Sequence, residues 1–282
     1  MLKKILVPLD ASLDTNQGEE LALEIATTRA KGNKEPARLL GICIVDTDYL
    51  PTGRFASLVP RDKILAEAQE KAEQIVEFFR GEMKKAKYPM DLLQTKIVVG
   101  SPFKEIIHNS VFCDLIVMGR RCSFPPLEHD YETLVHLYHR SSRPVVIAGE
   151  APHNVSRVVM AMDGTAPASR MMYAYATLNP FPGATVKLVY SEQEREAYHL
   201  GDFFQQVADF LTSYGIKVET SGIEGPLSGH LPDLVKKEHA DLLAMGIHAE
   251  QFLDKFRETL RLGDFPLQQV IQDSSAALFT VH

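Results

Sequence analysis

The chain has 282 residues, 45 % of them apolar and 24 % charged, with a formal net charge of -7. That length suits two domains better than one, and the composition is that of a chain folded throughout. An acidic balance argues against a nucleic-acid partner, because phosphate backbones are held by a local excess of Lys and Arg.

The apolar run after Lys3 and Lys4 is too short for a secretion signal and is followed at once by Asp10. No run approaches the roughly eighteen apolar residues that cross a membrane. Cys43, Cys113 and Cys122 are an odd count without CxxC spacing, which suits free thiols in a reducing compartment. The expectation is a cytoplasmic protein with neither a nucleic-acid nor a membrane partner.

In chain order, ILVPLD (5–10) reads as a buried strand that ends on a carboxylate. TNQGEELALEIATTRA follows, with Leu21, Ala22, Ile25 and Ala26 at helical spacing. LLGICIVD (39–46) is rich in β-branched residues and reads as a second strand. Ile64, Ala68, Ala72, Ile75 and Phe79 form the stripe of a second helix. TKIVVG (95–100), the short helix PFKEIIHNS and the strand DLIVMG (114–119) come next, and a further helix leads to PVVIA (144–148). The segment between the second strand and second helix, TDYLPTGRFASLVPRD (47–62), reads as a long loop able to serve as a lid or a partner surface.

The sentence then repeats. After the linker GEAPHNVS (149–156) come VVMAMD (158–163) and APASRMMYAYATL, in which Ala168, Met172 and Tyr175 share a helical face. ATVKLVYS (184–191) precedes a helix striped by Phe203, Val207, Phe210 and Tyr214. IKVETSG (216–222), the helix LPDLVKKEH, DLLAMG (241–246) and, after another helix, AALFTV (276–281) complete the copy. Strands that alternate with helices and are apolar on both faces imply an α/β protein of two tandem doubly wound parallel-sheet domains, residues 1–150 and 155–282. The reversal of winding puts the first and fourth strands of each copy side by side. Ligands sit beyond their carboxyl ends, where Asp10 with Gly119 and Asp163 with Gly246 are expected.

ILVPLDAS, CIVD, VVGSPFKEII, DLIVMGR and PVVIA, in this order and spacing, resemble the universal stress protein family. VVMAMDGT and ADLLAMG repeat the likeness, so it covers nearly the whole chain as a tandem pair. The resemblance implies the Rossmann-like fold of the adenine nucleotide alpha hydrolases and a ligand such as ATP or AMP. It puts the Asp that ends the first strand and a residue of the second strand on the adenine: Asp10 with Ile44, and Asp163 with Tyr190. It also implies pairing through the last strands, PVVIA and AALFTV, as an intramolecular pseudo-dimer, with a homodimer as a further assembly.

In the nucleotide-binding branch of that family the fourth strand runs into a loop of the form GxxG, nine residues, then Gly and Ser or Thr. Glycines let backbone N–H groups close on the phosphates. Here Gly119 is followed by Arg120, Arg121 and Cys122, and the far end of the pattern falls on Glu132 and Thr133. In the second copy Gly246 is followed by Ile247, His248 and Ala249, and the later glycine is Gly263, beside Asp264. The lost glycines add Cβ atoms, and the acidic residues set like charge against phosphate. Arg120 and Arg121 work the other way, since guanidinium groups hold phosphate without a glycine nest.

Plainer structural roles stand beside each of these. Asp10 and Asp163 suit helix capping, and Gly119 and Gly246 suit a tight strand exit. His129, His136 and His139 suit a surface helix as well as a metal, and Cys122 beside two arginines suits an ordinary thiol as well as a reactive one. No nucleophile and base signature occurs, so no catalytic residue and no metal ligand is assigned. The functional expectation is a non-enzymatic stress-response or regulatory protein that binds a small ligand or a protein partner through a degraded nucleotide cleft. The alternative is adenine-nucleotide binding with slow ATP hydrolysis, or sensing, in the first copy through Asp10, Gly119, Arg120 and Thr133.

Overall fold

A computed structural model of the chain describes residues 2–9, 17–28, 35–48, 50, 60–120, 123–126, 137, 140–149, 154–246 and 275–281. The chain divides into two compact units, Leu2–Leu137 and Tyr138–His282.

The amino-terminal unit contains β1 (Lys4–Leu9), α1 (Gln17–Thr28), β2 (Arg38–Asp46), α2 (Arg61–Lys85), β3 (Leu93–Gly100), α3 (Pro102–Ser110) and β4 (Leu115–Met118). Its strands run in the order β3-β2-β1-β4, and all three pairings are parallel. Ile5, Leu6, Val7 and Leu9 are all fully buried, although successive residues of a strand point to opposite faces. β1 is therefore covered on both sides. Leu21, Ala22, Ile25 and Ala26 on α1, and Ala68, Ala72, Ile75 and Phe79 on α2, are buried at the expected spacing; Val76 and Met83 join the α2 face, while Ile64, expected on it, is only half-buried in the first turn.

The carboxy-terminal unit contains β5 (Val145–Ile147), β6 (Arg157–Ala161), α4 (Ala166–Leu178), β7 (Thr185–Ser191), α5 (Glu192–Ala197), α6 (Phe203–Ser213), β8 (Lys217–Ile223), α7 (Leu227–Lys237), β9 (Leu242–Gly246) and β10 (Ala277–Val281). The strand order is β5-β10-β9-β6-β7-β8. All pairs here are parallel except β5 with β10, where Ile147 opposes Leu278 and Val145 opposes Thr280 in an antiparallel ladder. PVVIA thus lies in the second compact unit although it ends the first sequence repeat.

The fold class expected from the sequence is present, with three local corrections. The buried face of α6 is Phe204, Val207, Ala208 and Leu211, one position away from the aromatic stripe read from the sequence. Phe203 and Phe210 flank that face and Tyr214 is 41 % exposed, because the largest rings can cover the rim of a core without entering it. On α4 the buried methionine is Met171, not Met172. Helix α7 begins at Leu227, four residues before the expected start, and carries Pro232 inside it. Proline lacks an N–H and so reads as a helix start, but Pro232 is the sixth residue of α7, where the helix continues past it without one i→i−4 bond. No helix among the described residues is long and apolar enough to cross a membrane.

Candidate functional site

The first and fourth strands of each sequence repeat are paired. β1 pairs with β4 through Ile5 with Leu115, and β6 pairs with β9 through Val158 with Leu242. The exit from the fourth strand then meets the helix that follows the first. A Cβ placed on Gly18 of α1 would lie 2.4 Å from the Gly119 nitrogen. A Cβ on Gly246 would lie 2.3 Å from the Pro167 carbonyl carbon and 2.4 Å from the Ala168 nitrogen at the start of α4. Backbone is packed on backbone in both units, so these glycines serve close approach of helix and strand. That contact alone accounts for Gly18 and Gly246 standing where they do.

Of the residues assigned to the first cleft, Asp10 and Thr133 lie outside the described residues, as do Arg121, Cys122, Glu132 and the three histidines 129, 136 and 139. Most of the loop 47–62 lies outside them too. Ile44 is fully buried in β2, paired with Val98 of β3. Arg120 is half-buried just past β4. Asp46, the last residue of β2, is a buried carboxylate whose Oδ1 accepts from the Asp48 N–H at 2.8 Å, while its own N–H donates to the Pro125 carbonyl at 2.6 Å.

In the second cleft, Gly263 and Asp264 lie outside the described residues. Asp163 follows β6 and accepts at Oδ1 from the Thr165 N–H at 2.9 Å and the Thr165 hydroxyl at 2.6 Å. Thr165 is the N-cap of α4, its Oγ1 accepting from the Ala168 N–H at 3.4 Å. The carboxylate that ends the strand therefore organises the helix start. Capping of this kind stabilises by about 1 kcal/mol. The Tyr190 ring stacks on Phe204 of α6, 4.1 Å between centroids and 5° between planes, with the Arg195 guanidinium 5.9 Å from its centroid.

The registers also match positions between the copies. Pro8 pairs with Ile42 and Ala161 with Val189, and Pro8 and Ala161 each stand two residues before an Asp. Ile44 therefore corresponds to Ser191, one residue beyond Tyr190. Ser191 is fully buried and caps α5, accepting at Oγ from the Glu194 N–H at 3.1 Å.

Glu194 is a further member of this mouth, beyond the residues expected from the sequence. Burial, then the charge of Asp163, push its carboxyl above the ordinary carboxylate range, while a hydrogen bond from the Leu227 backbone at the start of α7 opposes the shift. Two carboxylates thus share this mouth. Leu200, in the α5–α6 connection, approaches Gly164 to 3.0 Å from the position of an added Cβ. The sequence did carry a signal for Glu194: Ser191 and Glu194 in SEQE have the spacing of a capping box, which marks a helix start directly after β7. The buried Asp46 had a weaker one, a lone acid closing the apolar run CIVD.

A doubly wound parallel sheet whose first and fourth strands adjoin at the reversal is a Rossmann-like α/β architecture with a ligand cleft at the carboxyl ends. The fold is that of the universal stress proteins. The structure is similar over 98 % of this chain to a universal stress protein from Archaeoglobus fulgidus DSM 4304, with 94 % of that chain covered, a TM-score of 0.65 and 18 % identity. It is similar over 99 % of this chain to a functionally unknown protein from Pseudomonas aeruginosa PAO1, with 92 % of that chain covered, a TM-score of 0.56 and 15 % identity. No protein-family model matches the chain, and no curated protein matches it.

Proposed function

We propose that this chain is a tandem universal stress protein that acts without catalysis, as a cytoplasmic stress-response or regulatory protein binding a small ligand or a protein partner. In this reading the two repeats are a pseudo-dimer within one chain, and the nucleotide cleft of the fold is degraded. The observation that supports it best is the second cleft: Asp163 is engaged by Thr165, and its charge bears on the half-buried Glu194. A polyphosphate entering there meets like charge where the dielectric is lowered, which raises the cost of binding.

The test is isothermal calorimetry of the purified protein at micromolar concentration with ATP. The expected result is weak binding at most, and a submicromolar dissociation constant overturns the reading.

A second reading rests on Arg120, half-buried beside Gly119 at the end of β4. It gives the first cleft an adenine nucleotide and slow ATP hydrolysis, through Asp10, Gly119, Arg120 and Thr133. Replacing Arg120 and Arg121 together by Ala then abolishes phosphate release. Unchanged release rules this reading out.

A further inference from the structure

Ser123–Pro126, beyond the end of β4, reaches the carboxyl end of β2. Its Pro125 carbonyl accepts the Asp46 N–H at the carboxyl end of β2. In the sheet order β1 stands between β4 and β2. The Thr47 N–H donates to Gly100 of β3, so the Asp46 N–H, one residue earlier, faces the β1 side of β2, and Pro125 stands beyond the carboxyl end of β1, where a doubly wound sheet takes its ligand.

Two further observations show that this segment is packed and its anchor held. Phe124 is 1 % exposed and Ser123 is 4 % exposed, although both stand in a connection between elements, where side chains usually face water. Asp46 is itself buried, and its Oδ1 is held by the Asp48 N–H at 2.8 Å, a turn that closes the end of β2 beside the Pro125 bond.

We infer that Ser123–Pro126 is a tethered plug that occupies the mouth of the first cleft, and that a nucleotide enters only when Phe124 leaves its buried site and the Asp46–Pro125 hydrogen bond opens. This rests on the reading of that cleft as a ligand site and adds a regulator to it. The affinity measured for a ligand is then its intrinsic affinity scaled by the fraction of molecules with the plug out. Weak nucleotide binding by the first unit follows from closure as well as from missing loop glycines. Anything that draws the segment away from Asp46 uncovers the cleft.

The experiment compares the full-length wild type with Phe124→Ala and the milder Phe124→Val. AMP and ATP are titrated calorimetrically, and amide hydrogen exchange is followed at Asp46. In the expected result the wild-type Asp46 amide is protected and loses protection when AMP is added to saturation. Phe124→Ala binds AMP about tenfold tighter than wild type, and Phe124→Val falls between. Equal AMP affinity in wild type and a folded variant overturns the plug, as does the absence of binding in a folded variant. Should neither variant fold, the wild type decides alone: an Asp46 amide that exchanges without protection, or one that stays protected with AMP bound, overturns it. The plug is judged by the ratio of variant to wild type and the proposed function by the absolute wild-type affinity for ATP, so the two fail separately.

Discussion

Asp241 holds Ser156 from 85 positions away: its Oδ2 accepts from the Ser156 N–H at 2.8 Å, the Ser156 hydroxyl at 2.9 Å and the Arg157 N–H at 2.8 Å. Asp114 does the same in the other unit, its Oδ2 accepting from the N–H groups of Lys3 at 2.6 Å and Lys4 at 3.0 Å. Each carboxylate stands just before the fourth strand and ties down the start of the first. At these exposed sites water competes, and such a clamp as a whole contributes about 1.5–3 kcal/mol. Asp241→Ala is expected to lower the unfolding free energy by about 2 kcal/mol, read as a lower urea midpoint, with Asp241→Asn losing less. A midpoint unchanged in the alanine variant would show that water replaces the clamp.

Close approach of backbone at the strand exits leaves no room for a methyl group. Gly246→Ala sets a Cβ 2.3 Å from the Pro167 carbonyl carbon, and Gly18→Ala sets one 2.4 Å from the Gly119 nitrogen. Relief needs the helix start to move, since no flexible side chain can yield. Overpacking typically costs about 1–3 kcal/mol, and both variants are expected at or above the top of that range in chemical denaturation. Stability within 0.5 kcal/mol or so of wild type would refute the contact.

Glu194 couples stability to pH. Burial and the neighbouring Asp163 raise its folded pKa above the unfolded value. The folded state then holds this proton more tightly than the unfolded state does, so the stability it contributes is present in acid and is lost as pH rises through the raised pKa. Glu194→Gln keeps an oxygen for the Leu227 N–H and removes the charge facing Asp163. The variant is expected to be more stable than wild type at pH 7.5, with the difference vanishing by pH 4; urea midpoints at the two values measure it. A variant less stable at both would mean that the helix contact outweighs the repulsion.

Tyr88 donates its hydroxyl to the Ala37 carbonyl beside β2. Burial is the main cause that pushes its pKa up to about 12. Tyr88→Phe leaves that buried carbonyl without its donor and is expected to cost about 1 kcal/mol. In an ultraviolet titration of the nine tyrosines, the variant should lose part of the absorbance change that wild type shows near pH 12, not the part near pH 10.

The repeat made the fold legible. Apolar runs on either side of helical stripes give the strand order once connections are right-handed, and the pairing of Ile5 with Leu115 and of Val158 with Leu242 is the outcome. Spacing also placed the buried faces of α1 and α2, where small and branched residues carry the period. It slipped by one position on α6, where Phe203, Phe210 and Tyr214 are large enough to mark a stripe yet lie beside the core and not in it.

At the clefts, the sequence by itself determined which residues end the strands: a residue's place along a strand depends only on its neighbours in the chain. It could not tell what those residues meet. Glu194 faces Asp163 from across a β-α connection, and Pro125 reaches Asp46 from another strand's exit. Such encounters are set by how helices and loops pack over the sheet edge, where burial and charge act through space, and only the tertiary structure decided them.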